Sequence, residues 1–249
     1  MEELEELLIG ELVQPKTLSS VTQEDVIHFQ QNGQLQIPSG PANDCIRSIE
    51  RYKSVLSRSE KEVAIYLMRL YGHFADFAKD GNWIKFPIDL FVIENDGSMA
   101  SFLVKHKLDK HIDAQANVRI DRHFQSQSDS QYRYAVRRPS VGPRFGENEK
   151  HAVVINPTCA TGKSVLAGFD WLRDEIGIDI PLNRVSVWTM VAAPLAVQNL
   201  CSQGASVVTA RLADGIDENG YIIQRSFDEK DPTKTEQYIG NVSDFLARI

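Results

Sequence analysis

The stretch "HAVVINPTCATGKSVLAGFDWLRDEIG", residues 151–177, changes its period midway. Residues 151–156, "HAVVIN", form a short apolar run of the kind a buried strand requires. From Ser164 the apolar residues Val165, Phe169, Leu172 and Ile176 fall at helical spacing, and Gly177 stands where a helix ends. Between the two lies Thr158-Cys159-Ala160-Thr161-Gly162-Lys163-Ser164, small and rich in hydroxyls. A loop that enters a helix exposes unpaired N–H groups at the positive end of the helix dipole, and together they attract an anion. Ala160 and Gly162 permit close backbone approach, and Thr161 and Ser164 add hydroxyl donors. Two other readings stand beside an anion cradle. "TGKS" ends the nucleotide-loop pattern GxxxxGK[ST], but the first glycine of that pattern falls on Pro157. Taken alone, the loop could also be a plain strand–helix turn.

Working outward, the same alternation recurs. Residues 87–96, "PIDLFVIEND", are an apolar run with a polar tip, and "MASFLVKHKL" after it can be helical. Residues 117–124 and 131–138 look like strands around the polar loop "QSQSDS". "RVSVWTMVAA" (184–193) is a further buried strand, Pro194 can open the helix "PLAVQNLCSQ", and "ASVVTARL" (205–212) is the last clear strand. Upstream, Val63, Leu67, Leu70, Phe74 and Phe77 mark a helix, with Ser59 as N-cap candidate. Strands alternating with helices predict parallel crossovers and an α/β, doubly wound, mainly parallel sheet, whose ligands bind beyond the C-terminal strand ends. Residues 1–13 can form an amphipathic helix through Leu4, Leu7, Leu8 and Leu12, and 30–44, rich in Gly, Pro, Asn and Gln, reads as a linker or hairpin-like excursion. The division expected is an N-terminal helical and linker extension, 1–54, followed by one domain, 55–249.

The 249 residues are 42% hydrophobic, enough for a sizeable core. A net charge of −7 argues against general nucleic-acid binding. Cys45, Cys159 and Cys201 form no CxxC pair, which fits a reducing cytoplasm better than a disulfide or zinc framework. The acidic start "MEELEELLIGELV" lacks the cationic region of a signal peptide, and no apolar run approaches the roughly 18 residues a membrane span needs.

Over the loop and the residues after it, the chain resembles the uracil phosphoribosyltransferases. Their ribose-phosphate loop, Asp-Pro-x-x-Ala-Thr-Gly-Gly-Ser, is matched by Asn156-Pro157-Thr158-Cys159-Ala160-Thr161-Gly162-Lys163-Ser164. Val191-Ala192-Ala193-Pro194 follows as in the family. Then come Thr209-Ala210 and Asp217-Glu218-Asn219-Gly220-Tyr221-Ile222-Ile223, in the family's order. The resemblance implies the type I phosphoribosyltransferase fold and transfer of ribose 5-phosphate from phosphoribosyl diphosphate to a pyrimidine nitrogen, with Mg2+. It implies that Thr158, Ala160, Thr161, Gly162, Lys163 and Ser164 hold the 5′-phosphate. Residue 156 would serve the ribose and the oxocarbenium-like transition state. The base would meet Tyr221, Ile222, Ile223, Arg225 and Asp228. Arg137, in the basic arm ending Arg137-Arg138-Pro139, would cover the site and exclude water. The ligands implied are phosphoribosyl diphosphate or a nucleoside monophosphate, and the assembly implied is a homodimer.

Three departures fall where the chemistry is concentrated. The family's leading aspartate is Asn156, which keeps an oxygen and loses the charge. The loop that carries an arginine toward pyrophosphate reads Glu94-Asn95-Asp96, and a carboxylate there repels pyrophosphate unless a metal intervenes. The family's Pro-Gly after Gly-Tyr-Ile-Val is Gln224-Arg225, a possible cation for an altered base. Either transfer is redirected to another acceptor, or the fold keeps a phosphate cradle as a non-catalytic sensor or partner-binding module. Among other residues, His73 reads as structural, His106 and His111 as solvated, and His123 and Arg133 as arm residues near the ligand. Cys159, at a helix N-terminus, reads as either filler or reactive thiol.

Overall fold

A computed structural model describes residues 8–9, 21–38, 60–80, 84–93, 104–105, 108–124, 132–147, 150–216, 220, 222–225 and 235–237. Its main sheet is mixed but mostly parallel. The strands are β1 (Leu8–Ile9), β2 (Leu35–Gln36), β3 (Ile88–Ile93), β4 (Ile112–Phe124), β5 (Tyr132–Val141), β6 (His151–Ile155), β7 (Thr158–Cys159), β8 (Val185–Ala192) and β9 (Ser206–Leu212). The order across the sheet is β1-β5-β4-β3-β6-β8-β9-β2, with β7 paired to β8. From β4 to β2 every neighbouring pair is parallel; β5 and β1 join antiparallel. The expected α/β, doubly wound sheet is therefore the one observed. Both faces of β3, β6 and β8 are buried, which is why their sequences are unbroken apolar runs.

Helices cover both faces. α1 (Gln23–Gln31), α3 (Lys163–Trp171) and α4 (Pro194–Cys201) pack on one side, around Phe91, Val154, Val187 and Leu172. α2 (Glu60–Asp80) packs on the other through Leu70, Tyr71 and Phe74 against Leu90, Ile155 and Trp188. The Phe74 ring meets Trp188 edge-on at 6.3 Å. Among the described residues no helix is long and apolar enough to cross a membrane. A second sheet, β10 (Gly215–Ile216), β11 (Ile222–Arg225) and β12 (Thr235–Gln237), follows β9.

Three details differ from the expectation. α3 runs on into a π-helical turn, Leu172–Ile176. That wider turn rotates Ile176 off the buried face, so it is 44% exposed while Leu172 is buried. Gly177 closes the segment in the left-handed conformation, φ 75°. Leu8–Ile9 form a strand on Tyr134 and Ala135, not part of a helix. Leu35–Gln36, inside the supposed linker, form a parallel strand on Val207–Val208, and Leu35 is buried. Burial against a neighbour decided that pairing, in a stretch whose own composition favours a loop. Of the helix expected after residue 98, Val104–Lys105 and Leu108 are helical and the rest lies outside the described residues, as do Ser59 and the tip Glu94, Asn95 and Asp96.

Candidate functional site

The 156–164 loop grows out of the end of β6, at the C-terminal edge of the sheet. The chain leaves β6 but does not leave the sheet. Asn156 N–H donates to Trp188 O at 3.1 Å, and the Pro157 carbonyl accepts from Met190 N–H at 2.9 Å and from the Thr189 hydroxyl at 3.0 Å. Thr158 and Cys159 then pair with Val191 and Ala192 as β7. A proline at 157 is suited to this, because only its carbonyl is needed.

At Gly162 the backbone turns left-handed, φ 73°, and α3 begins. The position demands glycine twice over. The positive φ strains any side-chain-bearing residue, and a Cβ there would lie 2.9 Å from Leu200 Cγ on α4. Gly162 O accepts from Val165 and Leu166 N–H, which starts the helix.

The donors of this turn divide into two groups. Gly162 N–H and the Asn156 side-chain amide both donate to the Cys159 sulfur. Lys163 N–H lies 3.4 Å from the Thr161 hydroxyl. The N–H groups of Ala160, Thr161 and Ser164 donate to no group among the described residues. The turn thus carries three N–H groups without a partner among the described residues, beside the Thr161 and Ser164 hydroxyls at a helix N-terminus. The thiol reading of Cys159 is corrected: burial pushes its pKa up to about 12, outweighing the two donors, so it is a buried filler and an acceptor.

Of the remaining candidates, Ile222 is buried in the large apolar cluster against which Ala160 also packs. Ile223 is half-buried on β11, which pairs Ile223 with Gly215 and Gln237. Arg225 lies on the same strand, and Tyr221 and Asp228 are outside the described residues. Arg137 sits on β5 opposite Arg119, and both guanidinium groups engage Asp121, at 3.2 and 3.0 Å. The last β3–β4 pair is Ile93 with Val118, so Arg119–Phe124 and the facing part of β5 project past the end of β3. Arg137 is therefore on a projecting hairpin and held there by Asp121. The His111 ring packs tilted against Phe86 at 4.9 Å, and among the described residues no three His, Cys, Asp or Glu side chains gather as metal ligands.

One loop partner escaped the sequence altogether. Asn199 on α4 donates its amide to Thr161 O at 2.9 Å. No motif marks it, because its partner is far away in the chain.

Residues 125–228 match the family model described as uracil phosphoribosyltransferase. A curated uracil phosphoribosyltransferase of Synechocystis sp. is 31% identical over 75 residues, which is 29% of this chain and 33% of the relative. The match thus spans a third of that relative's length. The AQ2163 protein of Aquifex aeolicus superposes with TM-score 0.57 at 13% identity, over 76% of this chain and 91% of that one, a likeness of fold alone. The orotate phosphoribosyltransferase of Mycobacterium tuberculosis, in complex with 5-phospho-alpha-D-ribosyl 1-diphosphate, reaches TM-score 0.41 at 13% identity, over 70% and 90% of the two chains, too low to add weight. The resemblance read from 156–223 is borne out as a similarity to the uracil phosphoribosyltransferases over part of the chain, carried on an α/β, mainly parallel sheet.

Proposed function

We propose that this divergent relative of the uracil phosphoribosyltransferases binds the ribose 5-phosphate moiety of phosphoribosyl diphosphate or a nucleoside monophosphate on the 158–164 loop, and transfers phosphoribose to a pyrimidine or altered base. The observation that carries the reading is the set of unspent N–H donors of Ala160, Thr161 and Ser164 around a left-handed Gly162. An anion placed there gains hydrogen bonds without displacing any within the protein.

In the transfer, the C1–O bond breaks with its electron pair leaving on the diphosphate oxygen. A base nitrogen forms the new C1–N bond and gives up its proton to the departing diphosphate. Asn156 spends its N–H on Cys159, so its Oδ1 is the group left to accept from a ribose hydroxyl. It orients the sugar and adds no negative charge to the transition state. By the resemblance, Tyr221, Ile222, Ile223, Arg225 and Asp228 would meet the base, and Arg137 on the hairpin would shield the site. The loop offers a metal only neutral oxygens, so Mg2+ would rest on diphosphate oxygens and on the carboxylates of Glu94 and Asp96. No step above is routed through it. A homodimer belongs to the same reading, and light scattering tests it.

Asn156 favours a second reading as well. With its amide turned to sulfur and no carboxylate in its place, the loop suits a module that binds the phosphoribosyl group without transfer. Calorimetry with ribose 5-phosphate and uridine monophosphate tests binding, and pyrophosphate release with uracil and Mg2+ tests transfer. Thr161→Val, which deletes one hydroxyl donor, should weaken ribose 5-phosphate about tenfold at nearly unchanged stability. Equal affinity would remove the loop from the site. Asn156→Asp with Glu94→Arg should raise pyrophosphate release if transfer is the function.

A further inference from the structure

The Thr161–Gly162 peptide is the hinge of the loop, and it is gripped at both ends. Its carbonyl accepts from Asn199 Nδ2 at 2.9 Å, and its N–H donates to the Cys159 sulfur. The C=O and N–H of a trans peptide point in opposite directions in one plane. Holding both settles the rotation of that plane, and with it the directions of the neighbouring Thr161 and Lys163 N–H groups. The left-handed φ of Gly162 gives this peptide more freedom than any other in the loop, so without a grip it could turn over.

The gripping residue is well mounted. The next residue on α4, Leu200, is buried against Gly162. Asn199 O itself accepts from Gln203 Nε2 at 3.1 Å. The following turn is tied to the N-terminal region, where Gln34 Nε2 donates to Cys201 O at 2.9 Å. Asn199 is only half-buried and borders an open groove of about 500 Å3 with Lys163, Leu166 and Gln203. Its amide thus serves the loop at the rim and not the packing of the core.

We propose that Asn199 is a positioning residue of the phosphate loop, fixing the Thr161–Gly162 peptide so that the loop's N–H groups converge on one anion. The proposal rests on the ribose 5-phosphate reading and names a part of the site outside the family-like loop. Asn199 does not touch the ligand; it acts through Thr161.

The test uses the full chain with Asn199→Leu, which removes the donor, and Asn199→Asp, which sets a carboxylate against the Thr161 carbonyl. Asn199→Gln restores the amide on a longer arm. Ribose 5-phosphate affinity is read by calorimetry, and exchange of the Gly162 amide proton by NMR, with Val154 and Val187 as core references. The expected result is about tenfold weaker binding for Asn199→Leu, a larger loss for Asn199→Asp and partial rescue by Asn199→Gln. Gly162 exchange should be faster in the first two while the core amides stay unchanged. Unaltered affinity and Gly162 exchange in both would overturn the proposal. Should the native chain bind no ribose 5-phosphate, the reading of the loop fails and Gly162 exchange decides alone. Faster exchange in Asn199→Leu then supports the grip, and no change overturns it.

Discussion

At the C-terminal end of β6, from Asn156 to Ser164, the only charged side chain is Lys163, and three backbone donors stand unspent. At the other end of the same strands the chemistry is reversed. Asp113 takes ion pairs from Lys150 and, at 3.2 Å, from Arg144. Asp89, 1% exposed near the start of β3, accepts from Gly146 N–H at 2.7 Å. Its pKa is raised by burial, partly offset by the Gly146 N–H and the nearby Lys150 charge. Asp113 is matched by Lys150 and Arg144, and Asp89 Oδ2 ties the 142–147 turn to the sheet while its Oδ1 is buried without a hydrogen-bond partner. Donors at the loop end are held in place by the protein and left for something else. A polar group already matched within the chain is a stability feature; one held rigid and unmatched is where a ligand gains.

The contrast can be broken most sharply at Cys159. A pKa moved from 9.0 to about 12 lowers the thiolate fraction near pH 8 about a thousandfold. Native Cys159 should resist iodoacetamide by at least that factor relative to the unfolded chain, with mass spectrometry counting the adducts. Rapid native alkylation would mean that the underside of the loop is open and that its donors are not held.

Gly162→Asp comes next. The left-handed backbone costs a residue with Cβ about 1–2 kcal/mol. The Cβ crowds Leu200, and the new carboxylate faces the bound anion. Ribose 5-phosphate affinity should fall at least about a hundredfold, read by calorimetry beside a denaturant curve. Retained affinity would place the anion elsewhere.

Asp89→Asn sharpens the other end, with a smaller effect. The folded pKa lies above the ordinary 3.8, so folding takes up a proton. The stability Asp89 contributes is complete below the ordinary value and is lost as pH rises through the raised one. The asparagine variant should therefore gain on the native protein as pH climbs from about 4, by at most about 1.4 kcal/mol per pH unit. Urea denaturation at several pH values measures it, and ribose 5-phosphate affinity should not change. Parallel stability profiles would show that Asp89 titrates as if in water.

Much of this molecule was legible in the chain because burial on both faces leaves a readable trace. β3, β6 and β8 are apolar without interruption, α3 shows helical spacing through Leu172, and Pro194 opens α4 as expected. The loop was legible because its requirements are local: small residues, hydroxyls and a glycine before a helix. Illegible were the strands Leu35–Gln36 and Leu8–Ile9, each two residues long and formed only because a partner edge was there. The π-turn that exposes Ile176 also left no mark in the apolar spacing.

By itself, then, the sequence determined the alternation of buried strands and helices and the place of an anion-binding turn at a strand end, since both follow from side chains within a few residues of one another. Only the tertiary structure decided how that turn is held. Asn199 meets Thr161, Leu200 fills the space beneath Gly162, and Cys159 turns inward to accept from Asn156 and Gly162. The contacts from α4 join residues distant in the chain, and even the local thiol's inertness depends on its burial in the assembled core. No local pattern encodes these features, because they exist only once α3 and α4 lie side by side on the sheet.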